Sequence, residues 1–399
     1  MGLLTACGGS SGTSTADACN ALNSTEFSCD AMLNDLVTEG VTPVVQNFTA
    51  AVASLNTELT SYCGEPGDAG KLTSAENAWS AVMQPLQQLQ VMNFGPNASS
   101  SNGLLSFYDW ESANAYNIDI AIAKSSLFDQ VGLSNSDNEK DLVALEYIIF
   151  APGEVQTYSD PSKENENVFN WRDGKTSDQI QQDRCDYAML ITADLKTRSA
   201  SLLSQWQGFD LSSQSNSKQV AANQVAEALF YLDKITKDVK IKAVLPQADD
   251  NTSNFKASGL ESKFAHQSKE AVLNNLLGVK TILTLNDSND SKTAINDYLK
   301  AAGQQAVAGK MVVALDDAIA NTNSIDADIY TAVNDATSAN EASCKSYSSG
   351  SLEYVDAASD IEKFCALQHS VKEVTDELKG DFTFLTSFTV PASASGDND

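Results

Sequence analysis

The stretch Val225-Ala226-Glu227-Ala228-Leu229-Phe230-Tyr231-Leu232-Asp233-Lys234-Ile235-Thr236-Lys237-Asp238-Val239-Lys240 decides the fold class. Its residues Val225, Leu229, Leu232, Ile235 and Val239 recur at steps of four, three, three and four. That is the spacing of one apolar stripe on an α-helix, and it sets Asp233, Lys234, Lys237 and Lys240 on the watered face. Near the C-terminus Ile361, Phe364, Leu367, Val371, Val374 and Leu378 repeat the pattern, and Gly380 stands where a helix-ending glycine belongs. Similar stripes run through 31–62, 73–92, 108–129, 178–206, 265–284 and 293–321. The best strand candidate is the tail 384–390, closed by Pro391. The expectation is an all-α protein, built as two up-and-down helical-bundle domains in series with an interdomain cleft. The polar run 212–217 reads as the junction. It divides the chain into a leash (1–29), an N-terminal bundle (30–211), a C-terminal bundle (212–390) and a polar tail (391–399). The polar loops 95–106 and 151–175 read as rims of a site.

Composition narrows the function classes. The 399 residues carry 53 Asp+Glu against 25 Lys+Arg, a net charge of −28. Such a surface repels nucleic acid and anionic lipid and attracts cations, so no nucleic-acid partner is expected. The acid is spread along the chain, as it is in a surface built for solubility. No apolar run reaches the ~18 residues of a membrane-spanning helix.

The N-terminus reads Leu4-Thr5-Ala6-Cys7, the order of a bacterial lipobox, after a stump of signal peptide. The glycine- and serine-rich run Gly8–Thr15 follows as a flexible leash. Cys7 is the expected lipidation site, so the membrane link is the lipid alone. The expected location is the periplasmic side of a bacterial envelope, and Gly8 after the cysteine leans to the outer membrane. The alternative is a chance LxxC in a polar tail. Setting Cys7 aside leaves Cys19, Cys29, Cys63, Cys185, Cys344 and Cys365, an even set with no CxxC and no zinc spacing. In an oxidising compartment these form disulfides, with Cys344–Cys365 the expected local pair.

Several landmarks occur in a fixed order. Val41-Thr42-Pro43 leads through Phe48 and Leu55 to Tyr62-Cys63. Trp79 is followed by Phe94-Gly95-Pro96, and Asp141-Leu142-Val143-Ala144-Leu145-Glu146-Tyr147 comes next. Then follow Arg184, Tyr187, Asp194 and Leu195; Asp238 and Lys240; Glu261, Ser262, Ser268, Asn275 and Leu276; and Gly396-Asp397. Across roughly residues 30–397 this series resembles the imelysin-like family, whose founding members were described as insulin-cleaving metallopeptidases. The resemblance implies a helical two-domain fold, a cleft beside the helix bearing the family's GxHxxE signature, an envelope location, and roles in peptidase activity or iron uptake.

The chain departs from that signature. Asp141 stands for its glycine and Val143 for its histidine; only Glu146 keeps its type. A His and a Glu three apart share a helix face and can grip one metal ion. Valine has no lone pair, so no classical zinc site is expected, and Glu146 alone is a weak oxygen ligand. The apolar residues around Glu146 demand that its carboxyl find a partner or open onto a cavity. The binding-cleft candidates are Glu146, Val143, Asp109, Trp110, Arg184, Ser262 and Ser268. Trp79, Phe107 and Tyr108 join Trp110 as a candidate aromatic wall, although helix-spaced aromatics are usually core. The two histidines, His266 and His369, have no partner at metal spacing. The first reading is a lipid-anchored protein binding iron or another divalent metal, a small ligand or a peptide in its cleft, without metallopeptidase activity. The others are a hydrolase with a relocated site, using Glu146 as base, and an envelope adaptor with a vestigial cleft.

Overall fold

The computed structural model describes residues 18–99, 103–111, 114–127, 139–152, 166–213, 217–248, 254–286 and 291–379. The expected lipobox, the tail strand, Gly380 and Gly396-Asp397 lie outside them. Among the described residues the structure is helical, without a strand. The α-helices are α1 (Ala18–Ala21), α2 (Cys29–Asp35), α3 (Thr42–Gly64), α4 (Ala69–Gln90), α5 (Ala115–Leu127), α6 (Leu142–Phe150), α7 (Glu166–Arg172) and α8 (Ser177–Trp206). After the turn Leu211–Ser213 come α9 (Lys218–Leu229), α10 (Ser268–Thr284), α11 (Ile295–Ala301), α12 (Gln305–Asn323), α13 (Ile329–Asn334), α14 (Ser338–Ser348) and α15 (Asp360–Glu377). π-Helices run through Leu36–Val41 and Leu232–Ile241.

In the first half α3 packs between α4 and α8, while in the second α15 lies against α12, α14 and the π-helix Leu232–Ile241. The halves meet along α4 and α10. Gly278 permits that approach: a Cβ there would sit 2.5 Å from the Val91 side chain and 2.6 Å from the Gln88 carbonyl oxygen. One apolar core runs through both halves, from Phe27 and Phe48 to Phe364 and Leu378. The boundary at 212 falls in the turn between α8 and α9.

The stripe Ile361–Leu378 is buried at each of its six positions. The stripe at 225–240 is not oriented as its spacing suggests. Asp233, Lys237 and Lys240 are buried, whereas Ile235 and Val239 are only half-buried. The cause is the π-helix, whose i→i+5 bonds widen each turn and rotate every later side chain away from its 3.6-residue position. Three charged groups thereby enter the interior.

Disulfides join Cys19–Cys29, Cys63–Cys185 and Cys344–Cys365, the last as expected. Cys63–Cys185 ties the end of α3 to α8. Among the described residues no helix is long and apolar enough to cross a membrane.

Candidate functional site

The short helix α6 carries the segment read as a degenerate signature, and Asp141 organises its start. As N-cap, Asp141 accepts from the backbone N–H groups of Val143 (2.9 Å) and Ala144 (3.1 Å) through Oδ1. Its Oδ2 accepts from the N–H of Asp109 at 2.8 Å. One buried carboxyl thus fixes both the helix and the loop bearing Asp109 and Trp110. Burial pushes it up to about 7, against three N–H donors that favour its charged form. An Asp directly before an apolar run is a helix-start signal, legible in the sequence and missed there.

Glu146, one turn on from Val143, is 1% exposed. Its Oε1 accepts from the backbone N–H groups of Phe264 (2.9 Å) and Ala265 (3.0 Å). The Phe264 ring packs on Tyr147 with centroids 5.2 Å apart. The segment 261–267 is therefore laid across α6 and held by the Glu146 carboxyl. Burial pushes Glu146 up to about 7, partly offset by the two N–H donors.

This shift makes a stability prediction. The folded chain holds the Glu146 proton with a pKa near 7, against 4.5 in the unfolded chain. The contribution is full below pH 4.5 and is lost as pH rises through 7, about 3 kcal/mol in all. Asp141 acts in the same direction. Urea unfolding across pH 4–8 should show wild-type stability falling through this window. Glu146→Gln should flatten the curve by roughly half and match or exceed wild type at pH 8. A wild type that gains stability between pH 5 and 7 relative to Glu146→Gln contradicts the assignment.

A cavity of about 300 Å³ opens beside these groups. Trp110, Val143 and Glu146 of the first half line it together with Val239, Ser262 and Phe264 of the second. Glu111 and Lys263 also reach it. The expected cleft residues Glu146, Val143, Trp110 and Ser262 therefore share one wall. Asp109 lies next to Trp110, half-buried. Trp79, Phe107 and Tyr108 are core.

Behind Ser262 lies a buried polar cluster that the sequence did not reveal. The Lys240 ammonium is 3.0 Å from Glu261 Oε2, and it donates to Gln87 Oε1 (2.7 Å), Asn275 Oδ1 (2.9 Å) and Gln90 Oε1 (3.1 Å). Gln87 Nε2 donates to Glu261 Oε1 at 2.6 Å. The cluster anchors the start of segment 261–267, and Tyr108 OH shares a hydrogen bond of 3.3 Å with Ser262 Oγ. Ser262 (φ +50°) and His266 (φ +56°) hold left-handed backbone at non-glycine residues. Such strain persists only where surroundings over-determine it, and it concentrates at ligand clamps.

Two expected cleft residues lie elsewhere. Arg184 is fully buried beneath α6, paired with Asp119 (3.4 Å) and donating to the carbonyls of Tyr147 (3.1 Å) and Ala151 (2.9 Å). It holds the helix rather than lining the cavity, because its partner Asp119 sits in the core. Ser268 is buried against the Glu261 carbonyl, to which its hydroxyl donates. His266 lines a second cavity, of about 290 Å³, its Nδ1 2.7 Å from Asp328 and its ring stacked on Tyr330.

The donor set does not fit a zinc or iron ion at α6. Val143 offers no lone pair, and one oxygen of Glu146 is committed to two N–H groups. Among the described residues no three His, Cys, Asp or Glu side chains are grouped to hold a metal ion.

The fold has known counterparts. An imelysin-like protein from Psychrobacter arcticum 273-4 superposes with a TM-score of 0.63 at 16% identity, over 92% of this chain and 98% of that one. A protein described as an iron-regulated protein A precursor, from Parabacteroides distasonis ATCC 8503, gives 0.61 at 15%, over 92% and 96%. No curated protein sequence matches. The model of the imelysin family, peptidase M75, matches residues 41–351. With that match over most of its length, the chain belongs to the imelysin family.

Proposed function

We propose that this protein binds a hydrogen-bond-donating organic ligand, of the class of a short peptide, in the cavity over Glu146, and that it is not a metallopeptidase. The observation that carries this reading is the cavity itself: Val143 and Glu146 line it, and Glu146 is half-used by segment 261–267. Glu146 Oε2 is the acceptor for a ligand N–H or O–H. Trp110, Val143 and Phe264 take the apolar body, and Ser262 adds a hydroxyl. A bare metal ion would find too few donors here, so an iron-linked role would require iron already chelated by another molecule.

The protein is further proposed to sit in the bacterial envelope, tethered through a lipid on Cys7, with the outer membrane favoured. Three disulfides support an oxidising compartment. The second structural counterpart, described as an iron-regulated precursor, supports an envelope setting.

Calorimetric titration with a set of di- and tripeptides, and separately with bare Fe(III) and Zn(II), tests the reading. Saturable binding of a peptide, weakened at least tenfold in Glu146→Gln, is expected, with no saturable heat from either metal. A ligand of the native state also raises the melting temperature. Metal binding without peptide binding, or no binding by either, overturns it; the latter outcome favours the adaptor reading.

A further inference from the structure

A further cavity plays no part in the site over Glu146. It measures about 690 Å³, within the usual range for small-molecule sites. Four aromatic residues line it, namely Phe94, Phe209, Phe230 and Tyr231. The wall at Phe209 depends on a glycine. Gly95 holds left-handed backbone (φ +55°), and a Cβ there would sit 3.0 Å from the Phe209 ring and 3.1 Å from Trp206. Trp206 in turn backs both rings, its centroid 5.0 Å from Phe209 and 5.8 Å from Phe94, both edge-on.

Two charged residues also line the cavity. Lys234 has acidic company, with Asp233 at 3.9 Å and Asp238 at 4.0 Å. Glu227, exposed on α9, takes neither an ion pair nor a side-chain hydrogen bond among the described residues. Asp233 and Asp238 are themselves held by Lys237 (3.0 and 3.4 Å), and Asp233 also by Lys379 (3.0 Å), so what sets the cavity's edge is the unpaired Glu227 carboxylate beside the aromatic rings, not a local excess of acid. Aromatic rings attract cations through their quadrupole, and desolvated cations the more. Tyr231 already takes the Lys240 ammonium at 5.5 Å from its centroid, so the three phenylalanines and Glu227 carry the recognition.

We infer that the cavity walled by Phe94, Phe209 and Phe230, with Glu227 at its edge, binds a small organic cation of the alkyl- or quaternary-ammonium class. The rings take the alkyl groups and the positive charge, and Glu227 supplies the counter-charge. This site is separate from the one over Glu146 and stands or falls independently of it.

Calorimetry with choline, its neutral isostere 3,3-dimethyl-1-butanol and the anion 3,3-dimethylbutyrate tests the inference on the whole chain. Choline should bind one site saturably, at least tenfold tighter than the alcohol, and the carboxylate weakest. Phe209→Ala and Glu227→Gln should each weaken choline by about 3- to 30-fold, in line with cation–π energies. Glu227 is exposed, so its variant keeps the test valid if Phe209→Ala unfolds. Lys234→Gln should leave choline binding unchanged or tighter, and Glu146→Gln should leave it unchanged. Equal binding of the alcohol, stronger binding of the carboxylate, no saturable choline binding, or wild-type affinity in Glu227→Gln overturns the inference.

Discussion

Replacing Lys240 by methionine is expected to lower the free energy of unfolding by about 3–5 kcal/mol, the usual cost of stripping one partner from a buried ion pair. The environment makes the upper part of that range the expected result. Lys240 is 2% exposed and Glu261 1%. The ammonium serves four acceptors on α4, α10 and segment 261–267. Burial pulls its affinity for the proton down, and the carboxylate of Glu261 offsets only part of that loss. Without it Glu261 becomes a lone buried charge, and three amide oxygens lose a donor in a medium of low dielectric. Glu261→Gln in the Lys240→Met background should recover part of the loss, because the neutral amide no longer needs the cation. Chemical denaturation of the single and double variants measures both. A loss below 1 kcal/mol in Lys240→Met would mean that the cluster is open to water.

The second large effect lies on the other side of α6. Arg184→Met should also cost about 3–5 kcal/mol. The guanidinium pairs with Asp119, caps the carbonyls of Tyr147 and Ala151, and lies 4.4 Å from the centroid of the Tyr147 ring. Tyr147 OH donates to Asp119 at 2.8 Å, closing a buried set of three. Methionine keeps the length and removes the charge and all the donors, so Asp119 loses its guanidinium while keeping the Tyr147 hydroxyl. Arg184→Met/Asp119→Asn should again regain part of the loss. If Arg184 instead lined a ligand cavity, its replacement would spare stability and weaken binding. Denaturation and peptide titration on the same variant separate the two outcomes.

These clusters show what a single sequence carries and what it hides. The stripe 361–378 was legible because the helix there is regular and its buried face is mostly apolar, broken only by Ser370 and Thr375. At 232–241 the same reasoning failed, since the chain adopts a π-helix and the 3.6-residue period no longer maps faces. Asp233, Lys237 and Lys240 look like solvated charges in the sequence. Their burial depends on groups such as Gln87, some 153 residues distant from Lys240. Glu146 was legible in part. Its apolar surroundings announced a buried carboxyl in need of a partner, but that partner is the backbone of Phe264 and Ala265, which no side-chain motif can announce. Arg184 was misplaced because the family pattern gives its helix but not its direction, and Asp119, which sets that direction, belongs to no motif. The local pair Cys344–Cys365 was readable from proximity, whereas Cys63–Cys185 joins residues 122 apart.

The central proposal is that Val143, read at the position of the signature histidine, leaves a binding cavity without metal-dependent peptide cleavage. Incubating the purified chain with an unfolded protein substrate, with added Zn(II) and with a chelator, measures this directly. The account predicts the same background cleavage in all conditions and in Glu146→Gln. Chelator-sensitive turnover that disappears in Glu146→Gln would contradict it.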